Sequence, residues 1–468
     1  MSRSSIALLP VLLLLAACDA PPAQSAPQAQ SESELTASLA PADPAFDGRW
    51  AGVLDAGAQP LRLELEIDLS GDEPSLILIS VDQGGARVPM SVVRLNGDQL
   101  HFSTPGMALQ YDGVLEDGVI SGTFDQGGLS TPLVFEPHED QTRDEPSARI
   151  APVHGEGRVV EVALEDGRLE GVLTSPAAPQ AGLVLISGSG PQDRDGNIAG
   201  HPVYAAVADA LAEAGVASLR YDDRGVGGSE APAALAPADL ADDAVRALEV
   251  LQAETGLSCV GYLGHSEGGY LGLLAAHESG ADFMISLAGQ HQDMATLLYD
   301  QSEALIRASG QGEDAVEANR ELQTRVFEAI DQAGPGEAPA AIEAVLIELG
   351  LPEAAARQQG AMWGQPYAVA MFEGDPAEAA AAFEGPVLAL FAEKDLQVLP
   401  EAAQAALLDA RGDKPTRSVI VPGVDHIFED SETGSPSEYG AAGHALSPTA
   451  WAMLVEETRA LIGQACAD

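Results

Sequence analysis

The pentapeptide Gly264–Gly268, Gly-His-Ser-Glu-Gly, fits the pattern G-x-S-x-G. The apolar run Cys259–Leu263 precedes it and the apolar run Gly269–Ala276 follows it. This context predicts a buried strand, a tight turn and a helix. Glycine is needed on either side of the serine because an ordinary side chain would clash in such a turn. The pattern therefore predicts Ser266 as the nucleophile of a serine hydrolase.

Strand and helix patterns alternate on both sides of this motif. The candidate strands are Leu183–Ser187, Val216–Tyr221, Cys259–Gly264, Phe283–Leu287, Pro386–Phe391 and Arg417–Val421. The candidate helices are Val203–Ala214, Leu240–Glu254, Gly268–His277 and Thr449–Ile462. A hairpin is predicted ahead of these strands and helices. It consists of Arg158–Leu164 and Arg168–Leu173, which flank a turn. Alternation of this kind predicts an α/β domain with a mainly parallel sheet.

The segment before this domain has a different periodicity of apolar residues. Leu61–Leu69 alternates strictly between apolar and polar residues, which is the period of a strand with one buried face. Pairs of turn residues such as Asn96-Gly97 and Asp117-Gly118 recur at hairpin spacing. Residues 46–137 are therefore predicted to form a small antiparallel β domain. It carries no catalytic motif and is assigned an accessory role.

A long segment interrupts the strand pattern of the α/β domain. Residues 290–383 contain no convincing strand and are rich in Ala, Glu, Leu and Gln. Insertions after the C-terminal ends of parallel strands lie where α/β active sites open. We therefore expect a helical lid here, with solvated decoration as the alternative.

The first residues are predicted to be a leader. One basic residue, Arg3, precedes an apolar run that ends at Leu15-Ala16-Ala17-Cys18, a sequence similar to the lipobox of bacterial lipoproteins. We expect residues 1–18 to be a signal peptide, Cys18 to be lipidated, and the protein to be periplasmic and lipid-anchored. The alternative is an ordinary signal peptide with an incidental cysteine. Residues 19–45, rich in Pro, Ala, Ser and Gln, are predicted to be a disordered tether. Residues 138–152 form a polar linker, and 153–468 form the catalytic domain.

The charge balance excludes one class of partner. Lys and Arg total 22 against 72 Asp and Glu, a formal net charge of −50, which repels nucleic acid. We expect a small-molecule substrate, and membrane contact only through the lipid anchor. No cysteine-rich metal motif is present, and we predict neither a metal nor a cofactor. Cys259 and Cys466 are expected to stay free or to pair with each other.

A serine nucleophile needs a histidine to take its proton and a carboxylate to orient that histidine. Asp395 follows the candidate strand Pro386–Phe391, and His426 follows Arg417–Val421. The chain order Ser, Asp, His is the order of α/β hydrolases. We therefore predict Asp395 as the acid and His426 as the base. The weaker rivals are the acids Glu393 and Asp425, and the histidines His201, His265, His277, His291 and His444.

Two backbone N–H groups must stabilise the oxyanion of the tetrahedral intermediate. One belongs to the residue after the nucleophile, Glu267. The glycine-rich loop Ser187–Pro191 follows an earlier strand, and its Ser189 or Gly188 is predicted to supply the second N–H.

Several motifs together resemble α/β hydrolases of the bacterial esterase EstD group. They are Gly188–Asp195, Tyr221–Ser229, Gly264–Gly269, Lys394–Val398 and Gly423–His426. The resemblance implies an α/β-hydrolase fold with an N-terminal β domain. It also implies Ser266 as nucleophile, Asp395 as acid, His426 as base, and Glu267 with Ser189 as oxyanion donors. The His-Gly pair of many relatives is Ser187-Gly188 here, and Asp193-Arg194-Asp195 is interpreted as an ion-paired loop that holds the donor.

The predicted activity is hydrolysis of carboxylic esters with small or medium acyl groups. A serine aminopeptidase-like enzyme is the first alternative, because the same acyl chemistry cleaves amides. An envelope binding protein with a catalytically idle hydrolase fold is the second.

Overall fold

The computed structural model describes residues 43–138, without 56–59, 70–73, 81–85, 91, 105–108, 117 and 127–128, and residues 157–467, without 335. The predicted leader, Cys18, nearly all of the tether and the predicted linker except His138 lie outside the described residues. Among those described, one compact unit takes the residues before 146 together with 339–363, and a second takes the remainder.

The first unit contains an antiparallel β-sheet, as predicted. A 3₁₀ turn at Pro44–Phe46, capped by Asp43, precedes it and begins inside the predicted tether. The strands are β1 Gly48–Asp55, β2 Pro60–Asp68, β3 Ser75–Ser80, β4 Ala86–Pro89, β5 Val92–Asn96, β6 Gln99–Thr104, β7 Leu109–Glu116, β8 Val119–Gln126 and β9 Leu129–Pro137. Their order in the described sheet is β4-β3-β2-β1-β9-β8-β7-β6-β5.

Alternation of apolar and polar residues builds the core of this sheet. In β2, Leu63, Leu65 and Ile67 are buried, whereas Arg62 before them and Asp68 after them are exposed. Aromatic side chains fill the same core, and they include Phe46, Trp50, Phe102, Tyr111, Phe124 and Phe135. The burial of one face and exposure of the other explain the period of two in the sequence.

The second unit contains the mainly parallel sheet. Its strands are β10 Arg158–Ala163, β11 Arg168–Thr174, β12 Ala181–Ile186, β15 Val216–Tyr221, β16 Val260–His265, β17 Phe283–Leu287, β18 Val387–Ala392 and β19 Thr416–Val421. Their order is β10-β11-β15-β12-β16-β17-β18-β19. β10 and β11 pair antiparallel, β11 pairs antiparallel with β15, and the rest are parallel. A two-residue ladder joins β13 Asn197–Ile198 and β14 His201–Pro202.

Helices connect these strands and fill the predicted lid. They are α1 Val203–Glu213, α2 Pro237–Thr255, α3 Glu267–Ser279, α4 Met294–Ala308, α5 Glu313–Gln332, α6 Ala338–Glu348, α7 Glu353–Trp363, α8 Pro366–Glu373, α9 Pro376–Ala382, α10 Pro400–Arg411 and α11 Pro448–Ala465. A 3₁₀ turn forms at Pro436–Glu438. Six of these helices, α4 to α9, lie between β17 and β18, where the sequence predicts a helical insertion.

The central strands are buried on both faces, because helices cover the sheet. α1 packs with α11 and α2 packs with α3, each pair against the strands. All six residues of β12, β16 and β18 are buried, as expected for strands enclosed between helical layers. The catalytic domain is thus an α/β fold with its C-terminal strand ends carrying long loops. None of the described helices is long and apolar enough to cross a membrane.

A disulfide joins the start of the central strand to the end of the last helix. Cys259, directly before β16, is bonded to Cys466 at the end of α11, with 5.7 Å between their Cα atoms. The paired alternative for these two cysteines is therefore correct.

Removing this disulfide should lower the free energy of unfolding of the oxidised protein by about 3–5 kcal/mol, since the bridge closes a long loop in the unfolded chain. The variant is Cys259→Ser/Cys466→Ser, compared with wild type by urea unfolding with and without reductant. The two proteins should converge once the wild type is reduced. Equal stability under oxidising conditions would contradict the prediction.

Candidate active site

Ser266 lies in the turn between β16 and α3, in a conformation that few residues other than glycine adopt. Its φ is 54° and its ψ is −120°. Its backbone N–H donates to the Leu287 carbonyl oxygen at 2.9 Å. A Cβ on Gly264 would lie 1.8 Å from the Gly268 carbonyl oxygen, and a Cβ on Gly268 would lie 2.5 Å from the Ile186 carbonyl oxygen. Both glycines of the motif are therefore required by the tight turn.

His426 and Asp395 meet at the C-terminal ends of neighbouring strands. His426 follows β19, Asp395 follows β18, and His426 Nδ1 lies 2.7 Å from Asp395 Oδ2. Both side chains are buried. The other carboxylate oxygen, Asp395 Oδ1, accepts the N–H groups of Gln397 at 2.7 Å and Val398 at 2.9 Å. These bonds fix the orientation of the carboxylate, so that Oδ2 faces the imidazole.

The rival acids and most rival histidines have other partners. Exposed Glu393 accepts the Gly423 N–H, and Asp425 Oδ1 accepts the N–H groups of Ile427 and Glu429. His277 is exposed on α3. The remaining histidine contacts are His201 with Glu429, His291 with Ser286, and His444 with Asp430.

His265 does not bond to an acid but connects the nucleophile turn to the histidine loop. Its Nε2 lies 2.9 Å from the His426 carbonyl oxygen, so this nitrogen carries the proton. The two imidazole rings are 4.9 Å apart. Burial lowers the pKa of His265 to about 3, so it stays neutral. Its Nδ1 lies 3.3 Å from the Tyr204 hydroxyl. His265 therefore ties the backbone of His426 to the nucleophile turn.

The oxyanion prediction for Gly188 is corrected by the structure. The Gly188 N–H donates to the Tyr204 hydroxyl at 3.0 Å, which leaves it unable to bind an oxyanion. The Ser189 N–H has no acceptor among the described residues. Glu267 is the first residue of α3, and a first-turn N–H has no partner within its helix. Ser189 and Glu267 thus keep the two N–H groups that an oxyanion would need.

Buried and partly buried carboxylates hold the loop that carries Ser189. The Ser187 hydroxyl donates to both oxygens of Asp223, at 2.9 and 2.8 Å, and the Gln192 N–H donates to Asp223 at 2.8 Å. Burial raises the pKa of Asp223 to about 7. Arg194 pairs with Asp222 and Glu170.

The loop Asp193–Asp195 is ion-paired, as interpreted from the sequence. Besides Arg194, Asp195 pairs with Arg220 on β15. Asp193 accepts the Asp195 N–H and the Asn197 side-chain amide. The loop is tied mainly to residues distant in the chain.

The strand order, the Ser266 turn and the position of His426 decide the fold, and comparisons with known proteins agree with it. Residues 197–299 match the family described as serine aminopeptidase, S33. Over 282 residues the chain is 26% identical to esterase EstD of Thermotoga maritima, covering 59% of this chain and 62% of EstD. The chain has the α/β-hydrolase fold and is similar in sequence to EstD. It spans less than two thirds of that relative's length.

Two solved structures are also similar to part of the chain. Dienelactone hydrolase from Anabaena variabilis is 18% identical, with 66% of this chain and 97% of that chain covered and a TM-score of 0.36. Est1E from Butyrivibrio proteoclasticus is 14% identical, with 67% and 100% covered and a TM-score of 0.38.

Sequence reasoning on this α/β hydrolase missed three residues around the oxyanion loop. The Tyr204 hydroxyl accepts the Gly188 N–H, and Asp223 accepts the N–H of Gln192 in the loop. The Tyr367 hydroxyl, on α8 of the helical insertion, donates to Glu267. Asp223 belongs to the Tyr221–Ser229 motif, so its presence in that motif was a usable signal. The two tyrosines lie in helices without any motif, and only the fold brings them to the site.

The described residues of the α/β hydrolase contain no group of three or more His, Cys, Asp or Glu side chains arranged to hold a metal ion.

Asp425, beside His426, makes the stability of the protein depend on pH. Burial, with a contribution from the nearby Glu429 carboxylate, raises the pKa of Asp425 to about 7, and its buried Oδ2 has no hydrogen-bond partner among the described residues. The folded state therefore binds this proton more tightly than the unfolded state. Stability from this group is lost as the pH rises from about 4 to about 7.

Asp425→Asn should remove this loss, because an asparagine amide does not titrate. Its oxygen can still accept both backbone N–H groups, so the loop keeps its hydrogen bonds. Relative to wild type, the variant should gain roughly 1–3 kcal/mol of unfolding free energy between pH 4 and pH 8. Denaturant unfolding at several pH values measures the difference. Asp409→Asn, at an exposed position on α10, is the control. A stability difference that does not change with pH would contradict the assignment.

Proposed function

We propose that this protein is a carboxylesterase that uses Ser266 as nucleophile, His426 as general base and Asp395 as the acid that orients His426. The observation that carries the proposal is the 2.7 Å contact between His426 and Asp395. His265, the neighbour of Ser266, bonds to the His426 backbone and so links this pair to the nucleophile turn.

In the first step, the Ser266 oxygen attacks the ester carbonyl carbon while His426 Nε2 takes the serine proton. The carbonyl π electrons move to oxygen, and the backbone N–H groups of Glu267 and Ser189 stabilise that oxyanion. Collapse of the intermediate breaks the bond to the alcohol oxygen, which leaves with the proton from His426. An acyl-serine remains.

In the second step, water replaces the alcohol. His426 takes a proton from the water as it attacks the acyl carbon, and the same oxyanion donors act again. Collapse breaks the bond to the Ser266 oxygen, which recovers its proton from His426. The product is a carboxylic acid, and Asp395 stabilises the imidazolium in both steps.

The proposed substrates are esters of small or medium acyl groups. The similarity to a protein named an esterase supports the ester class. The graded acyl series in the test below measures which acyl length is preferred.

The test measures hydrolysis of p-nitrophenyl esters with graded acyl chains, beside the corresponding p-nitroanilides. Protein inactivated beforehand by a fluorophosphonate gives the background rate of hydrolysis. Mass spectrometry of this protein identifies the labelled residue. We expect esters to be cleaved, anilides to be untouched and the label to be on Ser266. Preference for anilides would favour an aminopeptidase-like enzyme. Absence of labelling would favour the idle binding protein.

The location remains a proposal of its own: a periplasmic lipoprotein anchored through Cys18. Its support is the lipobox-like sequence alone. Cys18→Ala should move the mature protein from the membrane fraction to the soluble fraction of the producing bacterium. An unchanged distribution would contradict the lipid anchor.

A further inference from the structure

The side chain of Glu267 is an unusual neighbour for a nucleophile. It is only 5% exposed, and no Lys, Arg or His pairs with it among the described residues. Burial raises the pKa of the Glu267 carboxyl. An unpaired buried carboxyl group costs stability unless hydrogen bonds compensate. A carboxyl group buried at this position needs hydrogen-bond donors, and the structure provides two.

Both partners are neutral hydroxyl groups from other elements. The Tyr367 hydroxyl donates to Glu267 Oε1 at 2.5 Å, and the Ser189 hydroxyl donates to Glu267 Oε2 at 3.0 Å. Tyr367 lies on α8 of the lid insertion, and Ser189 lies in the loop after β12. One carboxylate therefore connects the lid, the nucleophile helix α3 and the oxyanion loop.

Ser189 and Glu267, whose side chains are hydrogen-bonded to each other, also carry the two backbone N–H groups proposed to bind the oxyanion. Ser189, in a loop, and Glu267, at the start of α3, are 78 positions apart in the chain, and no other hydrogen bond between their described atoms joins them directly. Their side-chain hydrogen bond thus constrains the distance between the two backbone donors. A shift of about 1 Å in such a group can cost about 100-fold in rate.

We propose that the Ser189–Glu267–Tyr367 chain is a positioning device that sets the spacing of the two oxyanion donors and makes that spacing depend on lid helix α8. The inference rests on the proposed ester hydrolysis at Ser266. Tyr367 and the Glu267 side chain act through the backbone donors and are positioning residues. They contribute to kcat because the oxyanion exists only in the reaction.

Removing either hydroxyl should lower kcat and leave KM nearly unchanged. We expect losses of about fivefold to 50-fold for Tyr367→Phe and for Ser189→Ala, below the ~10²–10³ typical for deletion of a whole oxyanion donor. Because both act through one carboxylate, the double variant should lose less than the product of the single losses. Glu267→Ala should match the double variant, and Glu267→Gln, which keeps an acceptor oxygen, should recover part of the rate.

The matched control is Tyr299→Phe, which removes another lid hydroxyl, one that bonds to Thr324 at 2.9 Å. Its kcat should stay within about twofold of wild type. The rate of labelling by a fluorophosphonate is measured on every variant, since its phosphoryl oxygen also enters the oxyanion hole. This second readout does not depend on ester turnover, and thermal unfolding checks that each variant is folded.

Several results would overturn the inference while leaving ester hydrolysis intact. These are an unchanged kcat and labelling rate, a rise in KM alone, or single losses that multiply fully in the double variant. Failure of the proposed function looks different, because the wild type then cleaves no ester. In that case the labelling rates still decide the inference: equal rates in wild type and variants reject it.

Discussion

Ser266→Ala should lower kcat for ester hydrolysis by roughly 10⁴–10⁶, since loss of a serine nucleophile removes the covalent route and leaves only binding and oxyanion stabilisation. The Ser266 N–H bond to Leu287 involves backbone alone, so the turn should persist in the variant. The same change should abolish fluorophosphonate labelling. Initial rates with a p-nitrophenyl ester, corrected for spontaneous hydrolysis, measure the effect.

The control for this variant is Ser279→Ala at the other end of the same helix. The Ser279 hydroxyl donates to the Ala275 carbonyl and accepts from Tyr262, away from the candidate site. Its rate should stay within about twofold of wild type, and any loss would be one of stability. A Ser266→Ala protein that keeps a tenth or more of the wild-type rate would disprove the assigned nucleophile.

Asp395→Asn should lower kcat by about 10⁴, for a reason visible in the hydrogen bonds of the carboxylate. Asp395 Oδ1 accepts two backbone N–H groups, from Gln397 and Val398. The asparagine carbonyl oxygen must keep that role, which turns its NH₂ group toward His426 Nδ1. An NH₂ donor there stabilises the imidazole tautomer protonated on Nε2, which cannot accept the proton of Ser266.

Glu393→Gln provides the matched control, because this exposed acid lies two residues away and its amide oxygen can still accept the Gly423 N–H. We expect its kcat within about twofold of wild type. Steady-state kinetics and the labelling rate should fall together in Asp395→Asn. If Asp395→Asn stays fully active, another carboxylate, with Asp425 nearest in sequence to His426, must orient the base.

The strands of the α/β domain were predictable because their apolar runs are short and bounded. β15 and β17 begin and end at the predicted residues, and β16 begins and ends one residue later than predicted. Helix α10 was missed, although Pro400 at its first position and the Ala-rich sequence after it are typical helix signals. Residues 339–363 belong to the first compact unit, a grouping that depends on long-range contacts and has no local sequence signal.

The site was less predictable than the fold, because its support comes from side chains far apart in the chain. Motif spacing places Ser266, Asp395 and His426 at strand ends. Nothing in the spacing reveals that a tyrosine hydroxyl accepts the Gly188 N–H. The sequence also does not reveal the partners of Arg194, which are Glu170 on β11 and Asp222 directly after β15. Such pairings depend on tertiary distance and are invisible to periodicity.

The backbone of Ser266 places activity and stability in opposition. A positive φ at a residue with a side chain costs roughly 1–2 kcal/mol, which glycine would avoid. Selection for stability alone would thus replace this serine by glycine and destroy the nucleophile. Methods that stabilise a protein from its folded geometry alone should choose the same replacement. The catalytic turn is therefore a position at which an improvement in stability would mark loss of function.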